Sequence, residues 1–420
     1  MATRRGIPHS RPFETHRGGL PGIVLVLAIL GSAGSGAFPL GHFQSNDAPS
    51  KISNDAVGLI ATIPLDNRPV AITYDSGLGE TFVTEYDSGG PLNGSVAVIS
   101  DASNTVVTTR SVGSEPGGVA YDAGKGDVYV TDAYRNNVEV LSDSTDRVVA
   151  TIPLGGITTP LGAAYDSGRG EIFVAESATN EVAAISDVSN TVVATVPVGT
   201  SPEYLTYDSG KGEVFVSNVY SNNLTIISDS TDTVSATIPL GSPPAGLAYD
   251  SGKGEVFVTQ SYSNRTSIIS DSTDALVGQV PVGTTPSGIA YDNRTGEVFV
   301  ANLGSDNASV ISDATSAVVA TQGTDRGPVA VAYDSETGEI YVANIISGTV
   351  SVFSDHVTLS GGGSGELLGI PLAEGYLVLG GVGTAILVVG IWAGLRLRRP
   401  RSPDPGMATR TESPPRGPAS

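Results

Sequence analysis

The chain has no cysteine, and in 420 residues it carries only four histidines, two methionines and one tryptophan. The histidines are His9, His16, His42 and His356, the methionines Met1 and Met407, and the tryptophan Trp392. All fall outside the repeats described below or at their last edge. No Ser-His-Asp relay, axial haem ligand, or Cys, His or Met metal set can therefore be assembled within the repeats. A large domain builds its core without disulfides, so the missing cysteines say nothing about compartment. Basic residues are also scarce, with 22 Lys and Arg against 43 Asp and Glu. Carboxylate chemistry remains open in principle, as in an ion-dependent hydrolase or a retaining glycosidase. No paired-carboxylate motif stands apart from the recurring turn aspartates, and the sequence reads as a non-enzyme.

Turn formers and β-branched residues are abundant, with 53 glycines and 26 prolines. They are arranged in a repeat. A Tyr-Asp pair recurs at Tyr74, Tyr121, Tyr165, Tyr207, Tyr249, Tyr291 and Tyr333, with a proline five residues before each. Each unit of about 42 residues holds four apolar runs bounded by Gly, Asp, Ser, Asn or Pro, the pattern of short strands joined by turns. One four-stranded meander cannot bury both faces and needs neighbours. Seven units predict an all-β, seven-bladed β-propeller of four-stranded antiparallel blades over 57–356.

The ends of the repeat region are incomplete in complementary ways. Residues 57–66 (VGLIATIPLD) resemble a fourth strand without its first three, whereas the seventh unit stops at Asp355 without a fourth. The N-terminal strand is expected to complete blade seven and close the ring.

The flanks have a different character. Residues 1–40 hold arginines followed by an apolar stretch, LPGIVLVLAIL, and small residues at Ser35 and Ala37. This reads as a signal peptide, the other reading being an uncleaved N-terminal membrane anchor. Residues 41–56 form a linker, and 357–375 a Gly/Ser-rich spacer. Residues 376–395 are uncharged and long enough, at about 1.5 Å per residue, for a transmembrane helix. The basic RLRRPR follows, and 396–420 reads as a Pro-rich, disordered cytoplasmic tail. The ring would then lie outside the cell, anchored in the cytoplasmic membrane.

The repeat region holds 11 basic residues against 36 acidic ones. Such a surface repels nucleic acid and anionic lipid headgroups. The aspartates of the Tyr-Asp pairs (Asp75, Asp122, Asp166, Asp208, Asp250, Asp292, Asp334) have two readings. They could hold a structural calcium, or cap their own hairpin turns; their presence in all seven units favours capping, and no cofactor is assigned.

Irregularities fall on one face. Blade one carries five extra residues in 85–94, and two extra precede Pro160. In an up-and-down meander, the second-to-third loops and the blade-to-blade loops share that face, where variable loops suit binding. Tyr86, Tyr134, Tyr220 and Tyr262 lie in these loops and are the candidate ligand-binding residues. Asn136, Asn137, Asn222, Asn223 and Asn264 beside them would supply polar partners for a glycan or peptide. Asn93, Asn223, Asn264, Asn293 and Asn307 each begin an N-x-S/T sequon and are glycosylation candidates.

The second strands read FVTE (82–85), YVTD (129–132), FVAE (173–176), FVSN (215–218), FVTQ (257–260), FVAN (299–302) and YVAN (341–344). With ATIPLG, PxGxAYD and ISD around them, they resemble the YVTN β-propeller repeats of archaeal surface-layer-like proteins, over about 300 residues in seven copies. No copy spells YVTN in full. The resemblance implies an extracellular cell-surface protein. The expected function is a membrane-anchored recognition or adhesion module for cell-envelope glycans or proteins, the alternative being an extracellular propeller enzyme.

Overall fold

The computed structural model describes residues 58–86 and 94–355, and the backbone of short segments at 24–27, 366–367, 370–371, 376–379 and 387–390. Residues 52–359 form one compact unit. Within it, seven four-stranded antiparallel sheets follow one another along the chain. Blade two is representative, with strands Pro116–Asp122, Asp127–Asp132, Asn137–Ser142 and Arg147–Pro153. The first strand of each blade is innermost and packs against the first strands of its neighbours.

Burial explains the composition of each strand. Second and third strands are covered on both faces by adjacent blades and are almost continuously buried, so they are rich in apolar residues, with buried polar exceptions such as Glu139 and Thr225 in the third strands. Fourth strands lie at the rim and are largely exposed, with one buried residue near the end (Ile152, Val196, Ile238). At the first position of the FVTE-like motif, an aromatic ring is fully enclosed in every blade: Phe82, Tyr129, Phe173, Phe215, Phe257, Phe299 and Tyr341. These rings anchor seven apolar clusters, each built from two adjacent blades; Phe215 of blade four, for example, shares its cluster with Leu247 and Val258 of blade five.

In blades one, two and five the third motif position ties adjacent blades together. Thr131 Oγ1 accepts from Gly118 N (2.8 Å) in its own blade and donates to the Leu161 carbonyl of blade three (2.7 Å). Thr84 and Thr259 make the same blade-to-blade bond, to Gly117 O and Ser287 O. The inner strands approach so closely that a Cβ on Gly118 would collide with the Leu161 carbonyl.

The ring closes as the sequence predicts. Gly58–Pro64 pairs antiparallel with Thr349–Ser354 as the outer strand of blade seven, from Gly58 opposite Ser354 to Pro64 opposite Thr349. Ile63 is 3% exposed in this seam.

Of the stretch 376–395, Tyr376–Leu379 and Leu387–Gly390 are described, as paired strands. The remainder of the expected membrane helix lies outside the described residues, as do the tail, most of the N-terminal segment, and 87–93 of the blade-one insertion. No helix among the described residues is long and apolar enough to cross a membrane.

Candidate functional site

Three regions of the ring carry chemistry: the two faces and the central channel. On the face of the Tyr-Asp turns, each aspartate caps its own hairpin. Asp122 Oδ1 accepts from Gly124 N (2.8 Å) and Lys125 N (3.2 Å), and the other six copies repeat the arrangement through Asp75, Asp166, Asp208, Asp250, Asp292 and Asp334. The tyrosines form a belt over these caps. Tyr121 lies against Asp75 of the preceding blade, Tyr165 against Asp122, Tyr207 against Asp166, and so on until Tyr74 against Asp334 completes the circle. Burial and the adjacent carboxylates push the phenols well above their ordinary range, so they stay neutral donors.

Cations tie the same face together. Lys125, Arg169, Lys211 and Lys253 each bond the backbone carbonyl of the Ser-Asp turn in the next blade, at Asp187, Asp229, Asp271 and Asp313. Arg294 bonds the Asp355 carboxylate. Among the described residues, no group of three or more His, Asp or Glu has the arrangement of a metal site. This face is repetitive: the Oδ1 atoms of its turn aspartates are engaged, while Oδ2 of Asp75, Asp122, Asp166, Asp208 and Asp250 is buried without a hydrogen-bond partner.

On the opposite face the second-to-third turns project side chains outward. Tyr134, Tyr220 and Tyr262 occupy the same place in blades two, four and five and are 56%, 76% and 83% exposed. Tyr86 differs: it ends its strand opposite Arg68 and is half-buried, and the insertion after it lies outside the described residues. Two exposed apolar residues not singled out from sequence share this face. Ile346 holds the tyrosine's place in blade seven, and Ile157 lies in the lengthened loop before Pro160. A search for aromatics alone passes over them.

The neighbouring asparagines have structural work. Asn136 and Asn264 adopt left-handed backbone (φ 56° and 54°). Their Oδ1 atoms accept from Thr158 N and Thr159 N (2.8 and 3.0 Å) and from Thr285 N (2.9 Å), fixing the blade-to-blade loops. Asn223 Oδ1 accepts from Asn218 Nδ2 (3.0 Å) within its own turn. The oxygens of Asn136, Asn223 and Asn264 are thus already engaged, whereas those of Asn137 and Asn222 are buried without a hydrogen-bond partner. Of the sequons, Asn264 and Asn293 are exposed, Asn223 and Asn307 are half-buried, and Asn93 lies outside the described residues.

The third region is the channel along the axis, a cavity of about 310 Å³ at the proline ends of the inner strands. Here the repeat is broken once. In the first place after the proline, six blades carry Val70, Gly117, Leu161, Ala245, Ser287 and Val329, and blade four carries Glu203. In the second place, six blades carry Ala71, Gly118, Gly162, Gly246, Gly288 and Ala330, and blade four carries Tyr204. Glu203 is the charged member of the cavity lining, and both residues are half-buried. Burial pushes the Glu203 carboxyl up, partly opposed by the Ser201 hydroxyl. Burial pushes the Tyr204 phenol up, with the Glu203 charge adding to this and Ser287 of blade six partly offsetting it. The signal was legible as PEYLTYD against PxGxAYD, but reading seven units for what they share hides what one of them alone has.

These features define a closed seven-bladed β-propeller with one repetitive face, one varied face and a single asymmetric pair in its channel. No protein-family model matches the chain, and no curated protein sequence matches it significantly. Among solved structures it is similar to a chain of Kuenenia stuttgartiensis hydrazine synthase, with TM-score 0.61 and 16% identity over 76% of this chain and 98% of that one. It is also similar to a streptogramin B lyase, with TM-score 0.60 and 15% identity over 71% of this chain and 97% of that one. At such identity the likeness is one of fold.

Proposed function

We propose that the protein is a recognition or adhesion module of the cell surface, and that its partner, a cell-envelope glycan or protein, docks on the face bearing Tyr134, Tyr220 and Tyr262. The observation that carries this reading is the exposure of those three rings on otherwise polar, well-anchored loops. An aromatic side chain left 56–83% exposed contributes little to the fold and offers a flat, rigid surface to sugars and peptides. The acidic character of the ring disfavours nucleic acid and anionic membranes as partners.

The YVTN resemblance supports assignment to surface-layer-like propellers. Attachment through residues 376–395 follows from 20 uncharged residues succeeded by RLRRPR. Glycosylation at the exposed Asn264 and Asn293 fits a surface location. The alternative, an extracellular propeller enzyme, has the channel as its natural seat, since Glu203 is the carboxylate there; the two structural neighbours named above do not favour it, because they share only the fold.

The test is a screen of the full chain, in detergent, against cell-envelope polysaccharides and peptides. Saturable binding that does not consume the ligand supports the reading. Steady turnover of any of these polymers would replace it with the enzymatic one.

A further inference from the structure

The channel's asymmetric pair calls for a role that neither closure of the ring nor docking on its face supplies. Seven near-identical inner strands would build a symmetric, uncharged channel, and six of them do so. Blade four places a carboxylate and a phenol ring side by side in that lining. Glu203 meets no Lys or Arg there: the cavity is otherwise lined by glycine, alanine, valine, leucine and isoleucine, together with Tyr204. None of the ion pairs among the described residues includes it. A carboxylate held in apolar surroundings without a counter-charge costs stability, and an apolar side chain like those of blades one, three and seven would fit the same strand.

The chemistry narrows the occupant. An anion is opposed by Glu203 and by the acidic ring around it. A neutral apolar molecule would strip water from the carboxylate and give nothing in return. A hard divalent ion wants six or more oxygen ligands, and the lining offers one carboxylate. A small organic cation satisfies every surface at once. Its charge faces Glu203, its carbon substituents meet the apolar lining, and the Tyr204 ring gives a cation–π wall. Tyr204 packs against the apolar cluster shared by blades four and five, so the ring is positioned in advance of binding. A volume of about 310 Å³ lies at the small end of ligand pockets and suits a substituted ammonium rather than a polymer.

We propose that the channel is a binding site for a small alkylammonium compound, with Glu203 as its counter-charge and Tyr204 as its aromatic wall. The site is separate from the exposed tyrosines and does not depend on their role.

Titration calorimetry of the full chain tests this with tetramethylammonium chloride, with sodium chloride at equal ionic strength, and with neopentyl alcohol as the neutral analogue. Saturable binding of one tetramethylammonium per chain is expected, with no saturable heat from the other two. Glu203→Gln should weaken it by roughly tenfold or more, the scale of one charge-assisted contact. Tyr204→Leu should weaken it as well, while the Tyr134, Tyr220 and Tyr262 alanine variants leave it unchanged. If Glu203→Gln fails to fold, Glu203→Ala takes its place, since blade five carries Ala245 there. No saturable heat with the wild-type chain, equal binding of neopentyl alcohol, or a loss below roughly threefold in the Glu203 variant would each overturn the proposal.

Discussion

Thr131 of blade two donates a 2.7 Å hydrogen bond to the backbone carbonyl of Leu161 in blade three, while accepting one from Gly118 N at 2.8 Å. One buried hydroxyl thereby satisfies an amide and a carbonyl on two blades. Thr131→Val keeps the shape and removes both bonds, leaving two backbone groups without partners in the interior. A loss of about 1–3 kcal/mol in unfolding free energy is expected by chemical denaturation. A variant as stable as wild type would mean that the blades are held by packing alone, as at Ala175, Ala301 and Ala343, where the hydroxyl is missing.

Removing residues 57–65 deletes the outer strand of blade seven and uncovers the edge of Thr349–Ser354. The melting temperature should fall substantially, because a whole strand and the buried Ile63 are lost. The exposed edge should also promote association at high concentration. An unchanged melt and a monomeric elution profile would show that this seam is dispensable.

Replacing Tyr134, Tyr220 and Tyr262 together by alanine should abolish partner binding, each ring being worth on the order of 2 kcal/mol at an interface. Because the rings are exposed, the cost to stability should be about 0.5 kcal/mol or less for each. Unchanged binding, or a large fall in melting temperature, would assign them to rim packing.

Glu176 provides a pH signature. It ends its strand 3% exposed. Burial, aided by the charge of Glu181, pushes its carboxyl up to about 7 against an ordinary 4.5, and the Thr179 hydroxyl only partly offsets this. The folded ring therefore holds this proton more tightly than the unfolded chain. Its contribution is most favourable below pH 4.5, declines as pH rises to about 7, and is constant above that. Glu176→Gln should raise the melting temperature at pH 8 and leave it nearly unchanged at pH 4. Blade five already carries an amide there, Gln260, whose Nε2 donates to the Leu240 carbonyl at 3.2 Å. An equal shift at both pH values would remove the titration from the account.

Chelation separates the two readings of the turn aspartates. With Asp122 Oδ1 and its six counterparts bound to turn amides, a chelator should move the melting temperature by no more than about a degree or two. A rise that saturates at millimolar calcium would place ions on this face instead.

The ring was legible in the sequence because it is written seven times. The proline and Tyr-Asp spacings located every inner strand, and the unmatched 57–66 and the missing partner after Asp355 showed how the ring closes. Individual side chains were harder. Asn136 and Asn264 look like ligand partners in a loop, and only the fold shows their oxygens turned onto the next blade's backbone. Tyr86 follows the same sequence cue as Tyr134 yet pairs opposite Arg68 at the end of a strand, because blade one's loop has a different length. Glu203 and Tyr204 gave no periodic signal at all; their meaning depends on six other strands converging around the axis.

The pairing of Gly58 with Ser354 also sets a clock for synthesis. The strand made first must wait for the strand made last, and at about 5–20 residues per second that interval is roughly 15–60 s. Throughout it the nascent chain carries one orphan strand at its leading end and a growing arc of blades behind it. Each new blade can pack on the one before as it emerges, but the lock at blade seven turns only when translation of the ring is finished. A ribosome stalled in the last repeat would therefore display six stacked blades and an unmatched latch, which is the form that a holding chaperone or a quality-control protease would meet.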